Sequence, residues 1–566
     1  MFAQLYRLCL DSFSILLERT GTRTGTRTRT DKAAWKNDDK AAWKNNGQRV
    51  QTRSINEGSY FSYAKILGLF LVNLTVLNLI TINGNLILTL TMLPLQGAVM
   101  LLFFPKTWTH LAKAFALFIS CLNFLVSLEL WTSFDNSSAD FQFIEKYYWL
   151  NVENVHFSIG IDGISLYFVL LTTFLVPACM LVGWSSITKN VKAYFFAFLV
   201  LESFTIAVFI MMDLLLFYAF FESVLIPMFV IVGIWGSRER KIRAAYQFFL
   251  YTLFGSVLML LAILVIYFQT GTTDLLALLC TDFSEKRQIL LWLAFFASFA
   301  VKVPMMPMHI WLPEAHVEAP TGGSVILAGI MLKLGTYGFL RFSIPMFPEA
   351  TLYFTPLIYT MSIVAIVYAS LTTLRQIDLK KIIAYSSVAH MNYVTLGMFS
   401  LNVQGIEGSI LLMLSHGFVS SALFLCIGIM YDRTHTRLIK YYGGAAQIMP
   451  LYSFFLFFFT LGNISLPGTS SFVGEILILI GVYQTNTFVG LIATSGMIFG
   501  TAYSIWLFNR VAFGNLKPNY LREFSDLNRR ELFMILPFFF AVLWMGLYPD
   551  IFLVSMHSSV IHLINC

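Results

Sequence analysis

Four ionisable side chains interrupt the long apolar runs of this sequence. Glu222 lies in FFESVLIPM, Lys302 in FAVKVPMMP, Lys333 in LAGIMLKLGTYG and Glu475 in SSFVGEILIL. A charge at mid-membrane costs at least about 2.5 to 3.5 kcal/mol, so each of these side chains needs a partner, water or a function. A buried Lys that is separated from its carboxylate can release a proton, which Arg would keep. These residue types indicate a path for ions, above all protons, with structural ion pairs between helices as the alternative.

Histidines in the same part of the sequence add groups that titrate near neutral pH. Four of them lie in or beside the apolar runs: His309, His316, His390 and His416. Lys302, His309 and His316 are spaced seven residues apart, which places them roughly on one face if their helix is continuous. We predict that these histidines relay protons or support the relay, although each of them could instead satisfy a neighbouring backbone carbonyl.

Metal and redox sites are not indicated by the residue spacing. The six cysteines contain no C-x-x-C pair, and the histidines show no H-E-x-x-H spacing of the kind that binds zinc. No Gly-rich nucleotide fingerprint follows a predicted strand. We therefore expect this chain itself to hold no metal, cluster, flavin or nucleotide.

The elements that must position these side chains are membrane-spanning helices. Only 12% of the 566 residues are charged and 57% are hydrophobic, whereas about 25% of a soluble domain is charged. A spanning helix needs about 20 mostly apolar residues. Such runs predict fourteen helices, centred near residues 94, 121, 173, 203, 224, 257, 299, 334, 362, 391, 418, 462, 498 and 543. The composition excludes a soluble protein and predicts an all-α polytopic membrane protein.

Two of the predicted helices are interrupted by proline. Pro304 and Pro307 follow Lys302 in helix 7, and Pro467 precedes Glu475 in helix 12. Proline removes a backbone hydrogen bond and clashes with the preceding turn, and discontinuous helices of transporters line binding cavities. Helices 7 and 12 are five apart, which predicts two inverted five-helix repeats formed by helices 4–8 and helices 9–13.

Basic residues are concentrated in the loops that follow odd-numbered helices. Examples are Lys189, Arg238, Arg375, Lys380, Lys381, Arg433, Arg437 and Arg510. By the positive-inside tendency these loops face the cytoplasm or matrix, and the chain end at Cys566 faces the opposite side. We call the side formed by these loops the basic face. The net charge of +7 is therefore read as a signal of orientation rather than of nucleic-acid binding.

Three stretches of the sequence resemble a known family. They are HIWLPEAHVEAPTGGSVILAGIMLKLGTYGFLRF at 309–342, IDLKKIIAYSSVAHMNYV at 377–394 and LPGTSSFVGE at 466–475. These stretches look like the antiporter-like subunits of respiratory complex I, and the resemblance implies that residues 84–566 form an antiporter-like transmembrane domain of about fourteen core helices. Residues 1–62, which contain DKAAWKN twice, are expected to be a poorly ordered polar and basic extension, and residues 63–83 a possible extra transmembrane helix.

The resemblance also implies roles for the buried charges. Glu222 and Lys302 would form a pair between helices 5 and 7, and Lys333 would carry the proton between half-channels. Glu475 would occupy the terminal relay position in helix 12. The family places polar relay groups at the positions of His309, His316, His390 and His416.

The function that this resemblance implies is proton translocation in the membrane arm of NADH:ubiquinone oxidoreductase, driven by quinone reduction elsewhere in the complex. NADH, FMN, iron–sulfur clusters and ubiquinone would be bound by other subunits. The expected partners are the other membrane-arm subunits, especially neighbouring antiporter-like ones, and membrane lipids, but no nucleic acid. The expected location is the mitochondrial inner membrane, with the C-terminus on the intermembrane-space side. The alternatives are a subunit of a multi-subunit sodium/proton antiporter and a purely structural membrane subunit.

Overall fold

The computed structural model describes residues 85–150, 155–515 and 525–565, and within them the chain is mainly helical. The first six helices are α1 Leu86–Leu102, α2 Thr109–Ser133, α3 Gly163–Ser186, α4 Val191–Ile210, α5 Leu214–Trp235 and α6 Lys241–Thr270. The next five elements are α7a Glu285–Lys302, α7b Trp311–Glu318, α8 Thr321–Met346, α9 Pro348–Leu374 and α10 Leu379–Met398. The last six are α11 Val403–Thr434, α12a Pro450–Ile464, α12b Ser470–Thr485, α13 Thr487–Ala512, α14 Arg529–Leu547 and α15 Asp550–Asn565. The predicted extension at 1–62 and the possible extra span at 63–83 lie outside the described residues.

Each of the fourteen predicted centres falls inside one of these helices. Ten helices of the described residues are long and apolar enough to cross a membrane. The helices that fall short are short, broken or polar: α1 has 17 residues, α7 and α12 are each split into two segments, and α10 carries Lys380, Lys381 and His390. An all-α polytopic membrane architecture is confirmed, while the number of crossings and the inverted repeats stay predictions.

Two of the longer elements were not predicted from the sequence. One is an antiparallel hairpin between α2 and α3, formed by β1 Gln142–Leu150 and β2 Val155–Ile161. The other is α15, a helix of 16 residues that is shorter than the run of about 20 residues used to find spans. Gly163 of α3 donates its backbone N–H to Ser559 Oγ of α15 over 3.1 Å, so this last helix packs on the bundle.

The loops after odd-numbered helices meet on one side of the bundle. Trp235 Nε1 donates to the carbonyl of Lys189 over 2.9 Å, and the backbone N–H of Ser237 donates to Glu318 O over 3.0 Å. In the same way, the N–H of Leu379 donates to Arg437 O over 2.9 Å. These bonds join the loops after α3, α5 and α7b in one set and the loops after α9 and α11 in another. Lys380 Nζ links the two sets by donating to Ala319 O over 2.9 Å, so the basic face inferred from charge alone is a contiguous surface.

On the side of the bundle opposite the basic face, a buried ion pair links Asp162, the N-cap of α3, to Arg341 of α8. Arg341 NH2 donates to Asp162 Oδ1 over 2.6 Å, and both side chains are less than one-tenth exposed. Burial acts to raise the pKa of Asp162, but the Arg341 guanidinium outweighs it and holds that pKa below its usual range. Arg341 is therefore buried beside its counter-charge.

Replacing Asp162 with Asn should destabilise the protein strongly, because the buried Arg341 loses its counter-charge while the size of residue 162 is kept. The expected cost is about 3 to 5 kcal/mol, measured as a lower thermal inactivation temperature of the assembled complex. The control is Lys146→Gln, which breaks the exposed ion pair with Asp274 (2.9 Å) and should cost at most about 1 kcal/mol. Equal losses in the two variants would contradict the fastening role of the Asp162–Arg341 pair.

Candidate functional site

Lys302 is the last residue of α7a, at the point where the helix breaks. Pro304 and Pro307 cannot continue the hydrogen-bond ladder, and the carbonyl of Val301 accepts instead from Trp311 Nε1 of α7b over 2.8 Å. The break leaves Lys302 2% exposed, with its Nζ donating to the carbonyl of Phe221 in α5 over 2.8 Å. The Lys302 ammonium also lies 2.9 Å from the centroid of the Phe221 ring.

Glu222 directly follows Phe221, the residue whose carbonyl accepts the hydrogen bond from Lys302 Nζ. Its carboxylate is within electrostatic range of the Lys302 ammonium, and Ser256 of α6 is its side-chain hydrogen-bond neighbour. The two side chains do not form a direct ion pair among the described residues, and Oε1 of Glu222 is buried without a hydrogen-bond partner there. Glu222 and Lys302 are therefore close to each other, as predicted. The Lys302 ammonium binds the carbonyl of Phe221, however, and not the Glu222 carboxylate.

Lys333 lies in α8 between two stretches of π-helix, Leu327–Met331 and Phe339–Ser343. A π-turn shifts the backbone carbonyls relative to the α-helix, and such turns are frequent at functional sites. Here the carbonyl of Ala328 accepts from Lys333 Nζ over 2.7 Å. Lys333 is fully buried, and within the described residues no carboxylate lies at ion-pair distance from it.

The α7 break and Lys333 are close because α8 carries glycine where it meets α7a. A Cβ atom at Gly335 would lie 3.1 Å from Lys302 Cβ and 2.8 Å from a methyl carbon of Val303. A larger residue at 335 would force the two helices apart. Glycine thus brings the Lys302 and Lys333 segments into contact.

A row of buried groups extends from Lys333 across three further helices. Lys333 Nζ is 2.8 Å from His416 Nδ1 of α11, and the ring of His416 is 5.9 Å from that of His390 in α10. His390 Nδ1 is in turn 3.0 Å from Glu475 Oε1 of α12b. We call Lys333, His416, His390 and Glu475 the central row.

Three features of the central row suit it to moving protons. All four residues are less than one-tenth exposed, so water does not compete freely for their protons. Every group can both accept and release a proton, which arginine could not do. Nε2 of His390 and Nε2 of His416 are buried without a hydrogen-bond partner among the described residues, which leaves both rings with a nitrogen free for a bridging water.

The other two predicted histidines are not members of the central row. His309 is near the rings of Tyr368 and Tyr385, at 5.8 Å and 6.4 Å between ring centroids. His316 is fully buried, stacks on Phe424 at 4.8 Å, and is within electrostatic range of Lys333. The helix that contains Lys302 is not continuous, because it ends at Lys302 and His316 lies in the separate segment α7b. Lys302 and His316 therefore do not share one helix face.

Several polar residues near these groups were missed by the sequence reasoning. Tyr393 and Tyr503 lie within electrostatic range of Glu475. Lys380 and Arg437 were read as basic loop residues, yet they are only 3% and 1% exposed. The sequence feature that could have identified Lys380 and Arg437 is that both belong to short polar segments next to the histidine-bearing helices. Among the described residues, no group of three His, Cys, Asp or Glu side chains is placed as metal ligands would be.

Comparisons with known proteins give the family. Residues 211–501 match the family model described as NADH:quinone oxidoreductase/Mrp antiporter, transmembrane. NADH-ubiquinone oxidoreductase chain 4 of Marchantia polymorpha is 66% identical over 476 residues, which cover 84% of this chain and 96% of that relative. The chain belongs to the chain 4 family of NADH-ubiquinone oxidoreductase. The resemblance to antiporter-like subunits of complex I is therefore confirmed.

Two solved structures separate the main interpretation from its alternative. A chain of respiratory complex I from Thermus thermophilus with bound NADH matches with a TM-score of 0.78 and 29% identity, covering 85% of this chain and 99% of that one. The Mrp complex from Dietzia sp. matches with a TM-score of 0.73 but 17% identity, covering 83% and 52%. The second likeness shows the fold alone. The chain is a multi-pass, proton-translocating subunit of an NADH:quinone oxidoreductase, and it sits with other subunits of that complex.

Proposed function

We propose that this chain moves protons through the membrane by way of Glu222, Lys302, Lys333 and the rest of the central row. The observation that carries the proposal is the buried row from Lys333 to Glu475, in which neighbouring groups belong to four different helices and two contacts are 2.8 Å and 3.0 Å long. A structural ion pair needs only two partners. A row of four titratable groups with free ring nitrogens is better explained by proton transfer.

The order of events follows from the charges. When Glu222 attracts the Lys302 ammonium, the positive charge stays near α5. When Lys302 turns from Glu222 toward the α8 segment, its charge disfavours a proton on Lys333, because like charges in a low dielectric repel. The proton of Lys333 then moves to His416, and through His390 to Glu475. His309 and His316 take no part in these transfers from Lys333 to Glu475.

The setting of this transfer is proposed from the family. The chain lies in the mitochondrial inner membrane beside neighbouring antiporter-like subunits, with its basic face toward the matrix and its C-terminus toward the intermembrane space. NADH, FMN, iron–sulfur clusters and ubiquinone belong to other subunits, and quinone reduction there drives the charge changes. The sodium/proton antiporter alternative is supported by a family model that also includes Mrp antiporters and by a shared fold at 17% identity.

Replacing Glu475 with Gln tests the relay, because Gln keeps the size of the side chain but cannot take up the proton from His390. We expect NADH-driven proton translocation through the assembled complex to fall about 100-fold, the usual contribution of a positioned proton acceptor. The measurement is proton uptake in membrane vesicles, with the amount of assembled complex determined in parallel.

The matched control is Glu407→Gln, which alters a second Glu–His pair of the same chain. Glu407 Oε1 is 2.6 Å from His557 Nδ1 of α15, and nine residues separate Glu407 from His416 on α11. Nine residues place the two side chains about half a turn apart, so Glu407 points away from the central row. Normal translocation in Glu475→Gln, or an equal loss in both variants, would contradict the relay.

A further inference from the structure

A polar cavity opens on the basic face next to the relay. Its volume is about 490 Å³, and it is bounded by the ends of α3, α5 and α11 and by the starts of α8 and α10. Exposed side chains form its rim, among them Ser186, Ser237, Asp432 and His435. Its wall contains two buried cations, Lys380 and Arg437. Polar groups thus lead from solvent to a buried lysine.

Lys380 is held by neutral acceptors, and among the described residues it forms no direct ion pair. Its Nζ donates to Ala319 O over 2.9 Å and to Ser324 Oγ over 3.3 Å. Charged groups of the surrounding elements also act on it electrostatically. They are the carboxylates of Asp378, Glu318 and Asp432 and the guanidinium of Arg437. The charge on Lys380 therefore depends on the sum of the attraction by these carboxylates and the repulsion by Arg437. Protonation of one carboxylate changes that sum.

His316 lies between this lysine and the relay. It is within electrostatic range of both Lys380 and Lys333, and Ser324 Oγ, which contacts Lys380, donates to the carbonyl of His316 over 3.0 Å. The imidazole is completely buried, and neither of its ring nitrogens has a hydrogen-bond partner among the described residues. A buried ring with two unused nitrogens, placed between two lysines, is suited to accept a proton from one and pass it to the other.

We propose that this cavity is the site of proton uptake for the relay, and that Lys380 carries each proton from Asp432 to His316. The inference rests on the proposed function of the central row. A proton from solvent binds the Asp432 carboxylate and removes one attraction on the Lys380 ammonium. Lys380 then gives its proton to His316 through a bridging water, and it recovers a proton from Asp432. His316 passes the proton on to Lys333, so that one proton enters the row for each one that leaves it.

Adjacent lysines provide a matched pair of variants. Lys380→Met removes the carrier, and we expect NADH-driven proton translocation in vesicles of the assembled complex to fall about tenfold or more. Lys381→Met is the control, because Lys381 is about one-third exposed and pairs with Glu314 at 2.9 Å on the outside. A surface pair of this kind is worth little, so Lys381→Met should leave the rate within about twofold.

Two further substitutions separate proton transfer from a structural charge. Lys380→Arg keeps a cation that does not release its proton, and Lys380→His keeps a group that does. Uptake through residue 380 predicts that Arg fails and that His restores part of the rate. Full activity with Arg would overturn the proposal, because a fixed charge would then suffice.

A labelling experiment tests the cavity without altering Lys380. Ser186→Cys places a thiol of nearly the same size on the rim, and a positively charged, membrane-impermeant methanethiosulfonate reagent is added from the basic face. We expect translocation to fall on labelling in the variant and not in the wild-type complex. Unchanged translocation after complete labelling would overturn the uptake site.

Lys333→Met is measured in the same vesicles to separate the two proposals. If Lys333→Met blocks translocation and Lys380→Met does not, the uptake inference is wrong and the relay stands. If Lys333→Met also translocates normally, the relay itself is wrong.

Discussion

Replacing Lys333 with Met is expected to stop proton translocation through this chain while the complex still assembles. Lys333 is fully buried, and its Nζ contacts only the carbonyl of Ala328 and the ring of His416 among the described residues. Because removing a buried group that lacks a counter-charge leaves no opposite charge stranded, the substitution should not destabilise the fold. The loss should be about 100-fold or more, because Lys333 is the member of the central row that links α8 to His416 of α11.

The measurement compares NADH-driven proton uptake with the amount of assembled complex in the same vesicles. Lys113→Met is the control, because Lys113 is also a buried lysine, 9% exposed, that donates to a carbonyl, Trp184 O, over 2.6 Å. It lies on α2, outside the relay, so its replacement should leave translocation unchanged. A Lys333→Met complex that assembles and still translocates protons would show that α8 does not carry them.

The helices and the buried charges could be predicted because both depend on local sequence. A run of about 20 apolar residues specifies a span wherever it occurs, and a charge within it is conspicuous. Glu222, Lys302, Lys333 and Glu475 were found in this way, and all of them lie in or at the ends of helices. The breaks of helices 7 and 12 were equally local, since proline causes a break regardless of its neighbours.

The connections between these charges could not be predicted, because they depend on packing between distant segments. Lys380 and Lys381 are adjacent in sequence, yet one is buried at the cavity and the other pairs with Glu314 outside. The π-turns that open the Ala328 carbonyl to Lys333 have no sequence pattern that distinguishes them from α-helix. For the same reason His416 and His390 were candidates without an order until their contacts placed them between Lys333 and Glu475.

The Glu222–Lys302 pair should behave as a single unit in a double-mutant cycle. Each residue acts on the relay only through the other, because Lys302 is the charge that moves and Glu222 is the charge that holds it. Glu222→Gln and Lys302→Met should each lower NADH-driven translocation by about 100-fold. The double variant should lose no more than either single one, since effects of residues that act together are not additive.

Lys302→Arg then distinguishes a moving charge from a fixed one. Arg would still attract Glu222 and reach the carbonyl of Phe221, which Lys302 contacts at 2.8 Å, so a merely structural pair would be preserved. Its planar guanidinium is larger than the compact ammonium, which lies 2.9 Å from the centroid of the Phe221 ring, and this size hinders the turn of the charge toward α8. We therefore expect Lys302→Arg to assemble and to be as defective as Lys302→Met. Two results would contradict this role: losses of the two single variants that multiply in the double variant, and an active Lys302→Arg variant. The pair would then be only a packing contact, and proton transfer would begin at the uptake cavity and Lys333.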